Sequence, residues 1–359
     1  MSATPRLPTR AGTPLRMGIL GCANIARQFA RDVASCASVR IVAVASRDGP
    51  KAAAFAGQHG IARHCSSYEA LLAATDIDAV YIPLPNSLHA EWAIKAVQAG
   101  KHVLCEKPLA LGLAEAHAMF HAARQHRVML VEAFPYYFQP QTGAMVALLQ
   151  AGAIGEVRTV QASFGFLLRS AADNIRLRPE LGGGALMDAG CYALSLIRLA
   201  MGCAPERVQA DATWAESGVD MSLSATLHYS GGRRAQLSCA MDAATHRRAT
   251  IVGTQGVIET EYLNHTSHQT SGHPHGYLPS QLRVRRGALN NIPFEDVQTA
   301  AGSGFSFAAE AFAKVVAQGD TAAVGRAALA SLDNAATLQA LAQSARLGQT
   351  VDVPRRAAE

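Results

Sequence analysis

Apolar and polar positions in the first 134 residues follow two periods. Continuous apolar runs at 17–20, 39–45, 79–82, 103–105 and 128–133 read as short buried strands. Between them apolar residues recur at helical spacing: Ile25, Phe29 and Val33, then 51–59, then 67–74 behind a Ser66 or Ser67 cap. A fourth helix opens after Asn86 or Ser87 with His89, Trp92 and Ala96 along it, and a fifth spans 113–126. Strand and helix alternating five times predict a doubly wound parallel sheet. The pattern changes after Phe138. Beyond a helix at 142–150, runs at 157–168, 208–215, 221–229, 234–240, 248–252 and 257–262 read as strands. Leu223, Ala225, Leu227 and Tyr229 alternate with Ser224, Thr226 and His228, which predicts a largely antiparallel open sheet with one face left to solvent or a partner. Helices at 305–318 and 326–347 follow, and 351–354 closes the chain against the core. The expected organisation is a disordered leader at 1–15, a parallel-sheet domain at 16–134 and an α+β domain at 135–355.

Composition narrows the classes. The chain has 359 residues, 49% hydrophobic and 16% charged, which suits an alanine-rich α/β protein with two ordinary domains. The net charge of +5 is mild, and no basic tract is interleaved with aromatics, so nucleic acid is not an expected partner. No run approaches the roughly 20 apolar residues of a membrane span, and the leader lacks the apolar segment of a secretory signal. Seven cysteines (Cys22, Cys36, Cys65, Cys105, Cys191, Cys203, Cys239) include no C-x-x-C pair, and a cytoplasmic protein with reduced thiols is expected.

Three stretches carry candidate chemistry. The run 17–20 ends in Gly21-Cys22-Ala23-Asn24-Ile25-Ala26 before a helix, the strand, glycine turn and helix of a dinucleotide site, spaced G-x-A-x-x-A. Gly21 supplies the tight turn, Ala26 the close packing, and Ala23 adds a methyl near the pyrophosphate position. The second strand ends in Ser46-Arg47, a hydroxyl and a guanidinium where an acidic residue would bind a ribose 2′-hydroxyl. That chemistry suits a 2′-phosphate, so NADP is expected over NAD. Pro83-Leu84-Pro85-Asn86 makes a stiff loop that can lie against a flat ring. In Val103-Leu104-Cys105-Glu106-Lys107-Pro108 the proline ends a strand and places Glu106 and Lys107 on the sheet's carboxyl rim, where open α/β sheets bind ligands. Farther on, Gly182-Gly183-Gly184 leads into a helix on which Asp188 and Tyr192 share a face. Asn174 and Arg176 offer polar groups to a hydroxylated substrate. The tract holding His265, His268, His273 and His275 has no Cys or acid within it and reads as a polar loop, so no metal is expected.

In this order, the glycine turn, Ala43-Val44-Ala45-Ser46-Arg47, Pro83-x-Pro-Asn-x-x-His89, Glu106-Lys107-Pro108 and the Gly-Gly-x-Leu-x-Asp-x-Gly-x-Tyr stretch ending at Tyr192 resemble the Gfo/Idh/MocA family of nicotinamide-dependent oxidoreductases. The resemblance covers nearly the whole chain. It implies a Rossmann domain followed by an α+β domain, and a homodimer or homotetramer formed through the second sheet. It implies a cofactor site of Gly21, Ala23, Asn24, Ile25, Ser46, Arg47, Leu84, Pro85, Asn86, His89, Glu106 and Lys107. Its catalytic set is Lys107, Tyr192 and Asp188, with Lys107 lowering the phenol pKa so that Tyr192 serves as base. The implied reaction moves hydride between NADP(H) and an alcohol, hemiacetal or ketone of a sugar or polyol. A trans-dihydrodiol, suggested by Phe134, Tyr136, Tyr137 and Phe138, and a non-catalytic NADP-binding regulator are the alternatives.

Overall fold

The computed structural model describes residues 13–169, 174–261 and 281–355. The leader expected at 1–15 and the histidine tract fall largely or wholly outside them. Strand β1 (Leu15–Leu20) begins inside the expected leader, because the Leu15 amide already bonds the Ser38 carbonyl at 2.8 Å and its side chain is buried.

With β1, strands β2 (Val39–Ala45), β3 (Arg63–Cys65), β4 (Ala79–Ile82), β5 (His102–Glu106) and β6 (Leu130–Ala133) form one six-stranded sheet. Its order is β3-β2-β1-β4-β5-β6 with every pairing parallel. Strand order reverses beside β1, so the crevice at the carboxyl ends of β1 and β4 is the place where such a sheet accepts a dinucleotide. Five helices connect or flank these strands: α1 (Asn24–Val33), α2 (Gly49–His59), α3 (Tyr68–Ala73), α4 (His89–Gln98) and α5 (Leu113–His126). Ser67 caps α3 through the Ala70 amide, as expected. Asn86 does not cap α4. It begins a 3₁₀ turn, and its side-chain amide donates to the Gly182 carbonyl at 2.8 Å.

After α6 (Pro140–Gln150) come β7 (Val157–Leu167), α7 (Cys191–Met201), β8 (Arg207–Trp214), β9 (Asp220–His228), β10 (Arg234–Ala240), β11 (Asp242–Gly253), β12 (Gly256–Thr260), β13 (Leu282–Arg286) and β14 (Glu295–Val297). With β15 (Val351–Asp352) these strands form a nine-stranded sheet, antiparallel throughout except where β7 and β10 run parallel. The prediction of a largely antiparallel sheet holds. Strand β13 lies outside the expected strands although it alternates at period two: Leu282 and Val284 are buried, while Arg283 and Arg285 lie over the Phe294 ring.

Two helices complete both lobes. Helix α8 (Gly304–Gln318) packs Phe305, Phe312 and Val316 into the core shared by β1, β4 and α1. There Phe29 stacks on Tyr81 with centroids 3.8 Å apart, and Phe305 meets it edge-on at 5.7 Å. Helix α9 (Thr321–Leu347) buries Ala328, Leu332 and Ala335 against the first lobe, and Ala336, Leu338 and Leu341 in the second. The segment Pro179–Met201 is long and apolar enough to cross a membrane, contrary to the expectation that none would be. It is 78% buried inside the fold, and its apolar residues serve the core of the second lobe. Replacing Phe29 with alanine is expected to cost roughly 3–5 kcal/mol, read from the shift in a urea unfolding midpoint. A loss under about 1 kcal/mol would show that α8 does not depend on this stack.

Candidate active site

At the carboxyl rim of the parallel sheet, a cleft of about 1230 Å³ opens toward the second lobe. Gly21 takes a positive φ of 110°, and a Cβ there would approach Leu84 Cδ2 to 2.9 Å, so backbone is left bare at the start of α1. No side chain caps α1 and no acid stands in its first turn. Its leading amides therefore remain available to an anion, which fits a pyrophosphate. At the end of β2 the polar residues divide their work. The Ser46 hydroxyl accepts from the Asp48 amide at 3.1 Å, and Asp48 caps α2 by accepting from the Lys51 amide at 3.0 Å. One Asp48 carboxylate oxygen is thereby committed to the backbone, and Asp48 lines the cleft together with Arg47, Lys51 and Tyr68. Two cations and a hydroxyl-bearing ring there fit a ribose phosphate.

The floor is assembled from both lobes. Lys107 follows β5, and its Nζ donates to the Asp188 carbonyl oxygen at 2.8 Å and to its carboxylate Oδ1 at 3.2 Å. Arg176 Nε donates to the other carboxylate oxygen at 2.6 Å. Asp188 lies in a π turn, Leu186–Gly190, that runs into α7, rather than in the regular helix expected. The wider turn carries Asp188 and Tyr192 on the side facing Lys107. Its entry is fixed by the Asp220 carboxylate, which accepts from the Leu186 amide at 2.6 Å. Gly184, with φ 110°, is required there, since a Cβ would fall 2.1 Å from Asp220 Oδ1. Burial pushes the Asp220 carboxyl up to about 6.

Lys107 Nζ stands 4.8 Å from the Tyr192 ring centroid, a cation over an aromatic face. This corrects the expected activation of Tyr192. Burial pushes the phenol upward, the Lys107 charge offsets only part of that rise, and the net shift is up. Burial is the largest cause, and the nearby Glu106, Cys191 and Asp188 add to the rise. Burial also works against ionisation of Asp188, yet Lys107 and Arg176 together hold its carboxyl down at about 2. Burial would lower Lys107, and the charge of Asp188 more than reverses it. Below, Glu106 accepts from the Tyr81 hydroxyl at 2.6 Å and is raised by burial.

Of the predicted site residues, Gly21, Ala23, Asn24, Ile25, Ser46, Arg47, Leu84, Pro85, Asn86, Glu106, Lys107, Asn174, Arg176, Asp188 and Tyr192 line this one cleft. His89 does not. It is fully buried beneath the rim, with Nδ1 2.8 Å from the Pro108 carbonyl and Nε2 2.8 Å from that of Leu84. Phe134 and Tyr136 do not line the cleft either. Both are buried at the junction, where Phe134 meets Tyr192 edge-on at 5.4 Å and Tyr136 bonds Ser195. Besides Tyr68 and Tyr192, the aromatic residues lining the cleft are Phe164 and Phe166, joined by Ile175, Thr245 and Arg247. Period-two spacing on β7 put Phe164 and Phe166 on one face, but nothing local said which face.

A parallel nucleotide-binding sheet whose rim lysine meets an acid and a phenol from a second lobe defines a dinucleotide-dependent oxidoreductase. Residues 15–134 match the model of the GFO/IDH/MocA oxidoreductase family with its NAD-binding Rossmann fold, and 143–259 match the family's C-terminal domain, so the chain belongs to that family. It is 36% identical to a D-xylose 1-dehydrogenase (NADP(+)) of Haloferax volcanii over 94% of this chain and 100% of that protein. It is 37% identical to a trans-1,2-dihydrobenzene-1,2-diol dehydrogenase of Xenopus tropicalis over 68% of this chain and 74% of that one. Among solved structures, a 3-ketoreductase from Actinomadura kijaniata in complex with NADP and TDP-benzene superposes with a TM-score of 0.80 at 30% identity, covering 92% of this chain and 98% of the other.

The acid dependence follows from Asp188. Its folded pKa lies below the ordinary carboxylate value of about 3.9, so its contribution to stability is present above that value and is lost as pH falls toward about 2. Asp188→Asn is expected to remove that part of the acid transition and to weaken the fold at neutral pH, where it leaves Lys107 without its counter-charge. Urea unfolding at pH 3, 5 and 7 measures both. An unchanged acid slope in the variant would mean that Asp188 is not ionised in the native state.

Proposed function

We propose that this oxidoreductase transfers hydride between NADP(H) and a secondary alcohol, hemiacetal or ketone of a sugar or polyol. The observation that carries the reading is the meeting of Lys107 with Asp188 and Tyr192 at the floor of a cleft whose other end is built for a dinucleotide. NADP, when bound, supplies the hydride acceptor or donor at its nicotinamide ring. Arg47 and Lys51 hold its 2′-phosphate and the open amides of α1 its pyrophosphate. Leu84, Pro85 and Glu106 bound the end of the cleft nearest Lys107. Lys107 donates a charge-assisted hydrogen bond to the substrate oxygen and withdraws electron density from it. Asp188 holds the ammonium in place, and Arg176 holds Asp188. Tyr192 is a neutral phenol at rest, so it is set to give its proton in the reducing direction. In the oxidising direction it must first lose that proton against the cost of burial.

A second reading, oxidation of a trans-dihydrodiol, is favoured by the wall of Phe164, Phe166 and Ile175, which suits a ring with an apolar face. The non-catalytic regulator has no comparable support, because Lys107, Asp188 and Tyr192 are all in contact with the cleft. The outer face of the nine-stranded sheet, lined by polar residues such as Gln161, Ser163, Thr226 and Gln236, supports assembly into a homodimer or homotetramer through that sheet. Light scattering on the purified protein counts the copies, and a monomer at micromolar concentration would refute that assembly.

Turnover is tested with NADP⁺ and NAD⁺ against aldoses, inositols and trans-dihydrodiols, and with NADPH against the matching carbonyl compounds. Reduction is expected to stay nearly flat between pH 6 and 9 while oxidation rises with pH, because the resting phenol is protonated. Lys107→Met is expected to lower kcat by at least about 10³-fold while NADPH fluorescence still reports binding. Full turnover in that variant would remove Lys107 from the chemistry.

A further inference from the structure

The peptide unit between Pro108 and Leu109 is gripped from both sides by buried side chains. Its carbonyl lies 2.8 Å from His89 Nδ1, and its amide donates to Glu132 Oε1 at 2.8 Å. His89 comes from the start of α4 and Glu132 from β6, so two elements converge on the peptide plane one residue beyond Lys107. The other oxygen of Glu132 accepts from the Ser331 hydroxyl at 2.6 Å. Ser331 lies on α9 beside the point where that helix passes from one core to the other. The second ring nitrogen of His89 faces the Leu84 carbonyl, so the same imidazole also touches the loop of Leu84 and Pro85.

We infer that Glu132 and His89 are positioning residues that fix the Pro108–Leu109 peptide plane and thereby aim Lys107 at the substrate oxygen. The role rests on Lys107 being the group that meets the substrate. Neither side chain lines the cleft, so neither touches a reacting atom. What they control is the direction in which the chain leaves Lys107, because a rotated peptide plane swings the lysine's Cα and carries the ammonium away from Asp188. Glu132 is 8% exposed and does not line the cleft, so a fold that needed only bulk there would be served by an apolar side chain. A carboxyl is kept because the Leu109 amide, just after a residue that has no N–H, would otherwise be buried without an acceptor.

Burial pushes the Glu132 carboxyl up to about 7. Its neutral form can still accept from Leu109 through one oxygen and donate to Ser331 through the other, with the hydroxyl changing role. Glutamine offers the same pair, an acceptor oxygen and a donating amide, so it is the conservative replacement for a clamp that works through hydrogen bonds rather than charge.

The test uses the full chain with whichever substrate the wild type turns over. If the wild type turns over nothing, the functional reading fails by itself, and amide exchange still tests the clamp. Glu132→Ala is expected to lower kcat roughly 10–100-fold, as a small misplacement of a reacting group does, with the NADPH dissociation constant changed by less than about threefold. Deuterium exchange followed by mass spectrometry should show the peptide containing Leu109 exchanging at least about tenfold faster in that variant. Glu132→Gln is expected to stay within about threefold of the wild type in every measurement. His89→Ala combined with Glu132→Ala should lower kcat by less than the product of the two single effects, because both hold one plane. A folded Glu132→Ala with wild-type kcat, a Glu132→Gln that falls as far as the alanine variant, or strictly multiplicative effects would each overturn the inference. Where Glu132→Ala does not fold, Ser331→Ala keeps the carboxyl but releases it to rotate, and unchanged kcat and Leu109 exchange in that variant would overturn it equally.

Discussion

The ammonium of Lys107 sits in the seam between the lobes with its side chain 12% exposed, and Asp188 meets it with both a backbone carbonyl and a carboxylate. Removing an ammonium from water is unfavourable by several kcal/mol unless a counter-charge replaces the lost solvent. The two partners come from opposite lobes, so the second lobe cannot drift without exposing that imbalance. Arg176 adds a further cation on the same carboxylate, drawing the segment just before the glycine run onto the floor of the cleft. Both lobes are thus registered at the position where substrate oxygen, lysine and phenol must converge. The contact is worth more as a constraint on geometry than as a source of net stability, since buried pairs roughly repay their own desolvation.

Much of the frame around this seam could be read along the chain because it depends on local stereochemistry. Apolar runs of four to seven residues bounded by turns yield the parallel strands, and the glycine turn before Asn24 yields the dinucleotide crevice. Lys107 was legible for the same reason, since a proline directly after it ends the strand and leaves it on the rim. What could not be read is whatever rests on packing between distant segments. Period two put Phe164 and Phe166 on one face of β7 but did not say that the cleft lay on that side. Asp48, next to Arg47 in the chain, places its carboxylate on the cap of α2, a role that shows only where the helix begins. Lys51 belongs to the first turn of that helix, and only the helix's direction brings it into the cleft. The upward shift of Tyr192 depends on how completely it is enclosed and on which charges the fold gathers around it. Neither quantity has a local signature.

His89 marks the boundary between these cases. The sequence placed it at the end of the Pro83-x-Pro-Asn stretch, among residues expected against a cofactor, and the position in the chain was right. Its ring turns inward, placing its two nitrogens on the carbonyls of Leu84 and Pro108, each in a loop that contains proline. A histidine can reach two carbonyls at once, although in its neutral form it donates to one at a time, and burial favours that neutral form. The residue therefore belongs to the support of the cleft rather than to its wall.

Three carboxyl groups surround one ammonium here, and the structure assigns them different charges by environment rather than by residue type. Glu106 has a phenol and its neighbour's amide as donors and no second cation, and burial raises it. Glu132 has a serine and a backbone amide and rises to about 7. Asp188, with its side chain 22% exposed, has two cations and drops to about 2. Separation of this kind gives one buried cluster a fixed anion beside acids that ionise less readily. The fixed anion is the one that faces the ammonium from the other lobe, so the charge pair itself joins the two lobes. A pair made with Glu106, the lysine's neighbour on β5, would satisfy the ammonium within one lobe and leave the seam without that contact.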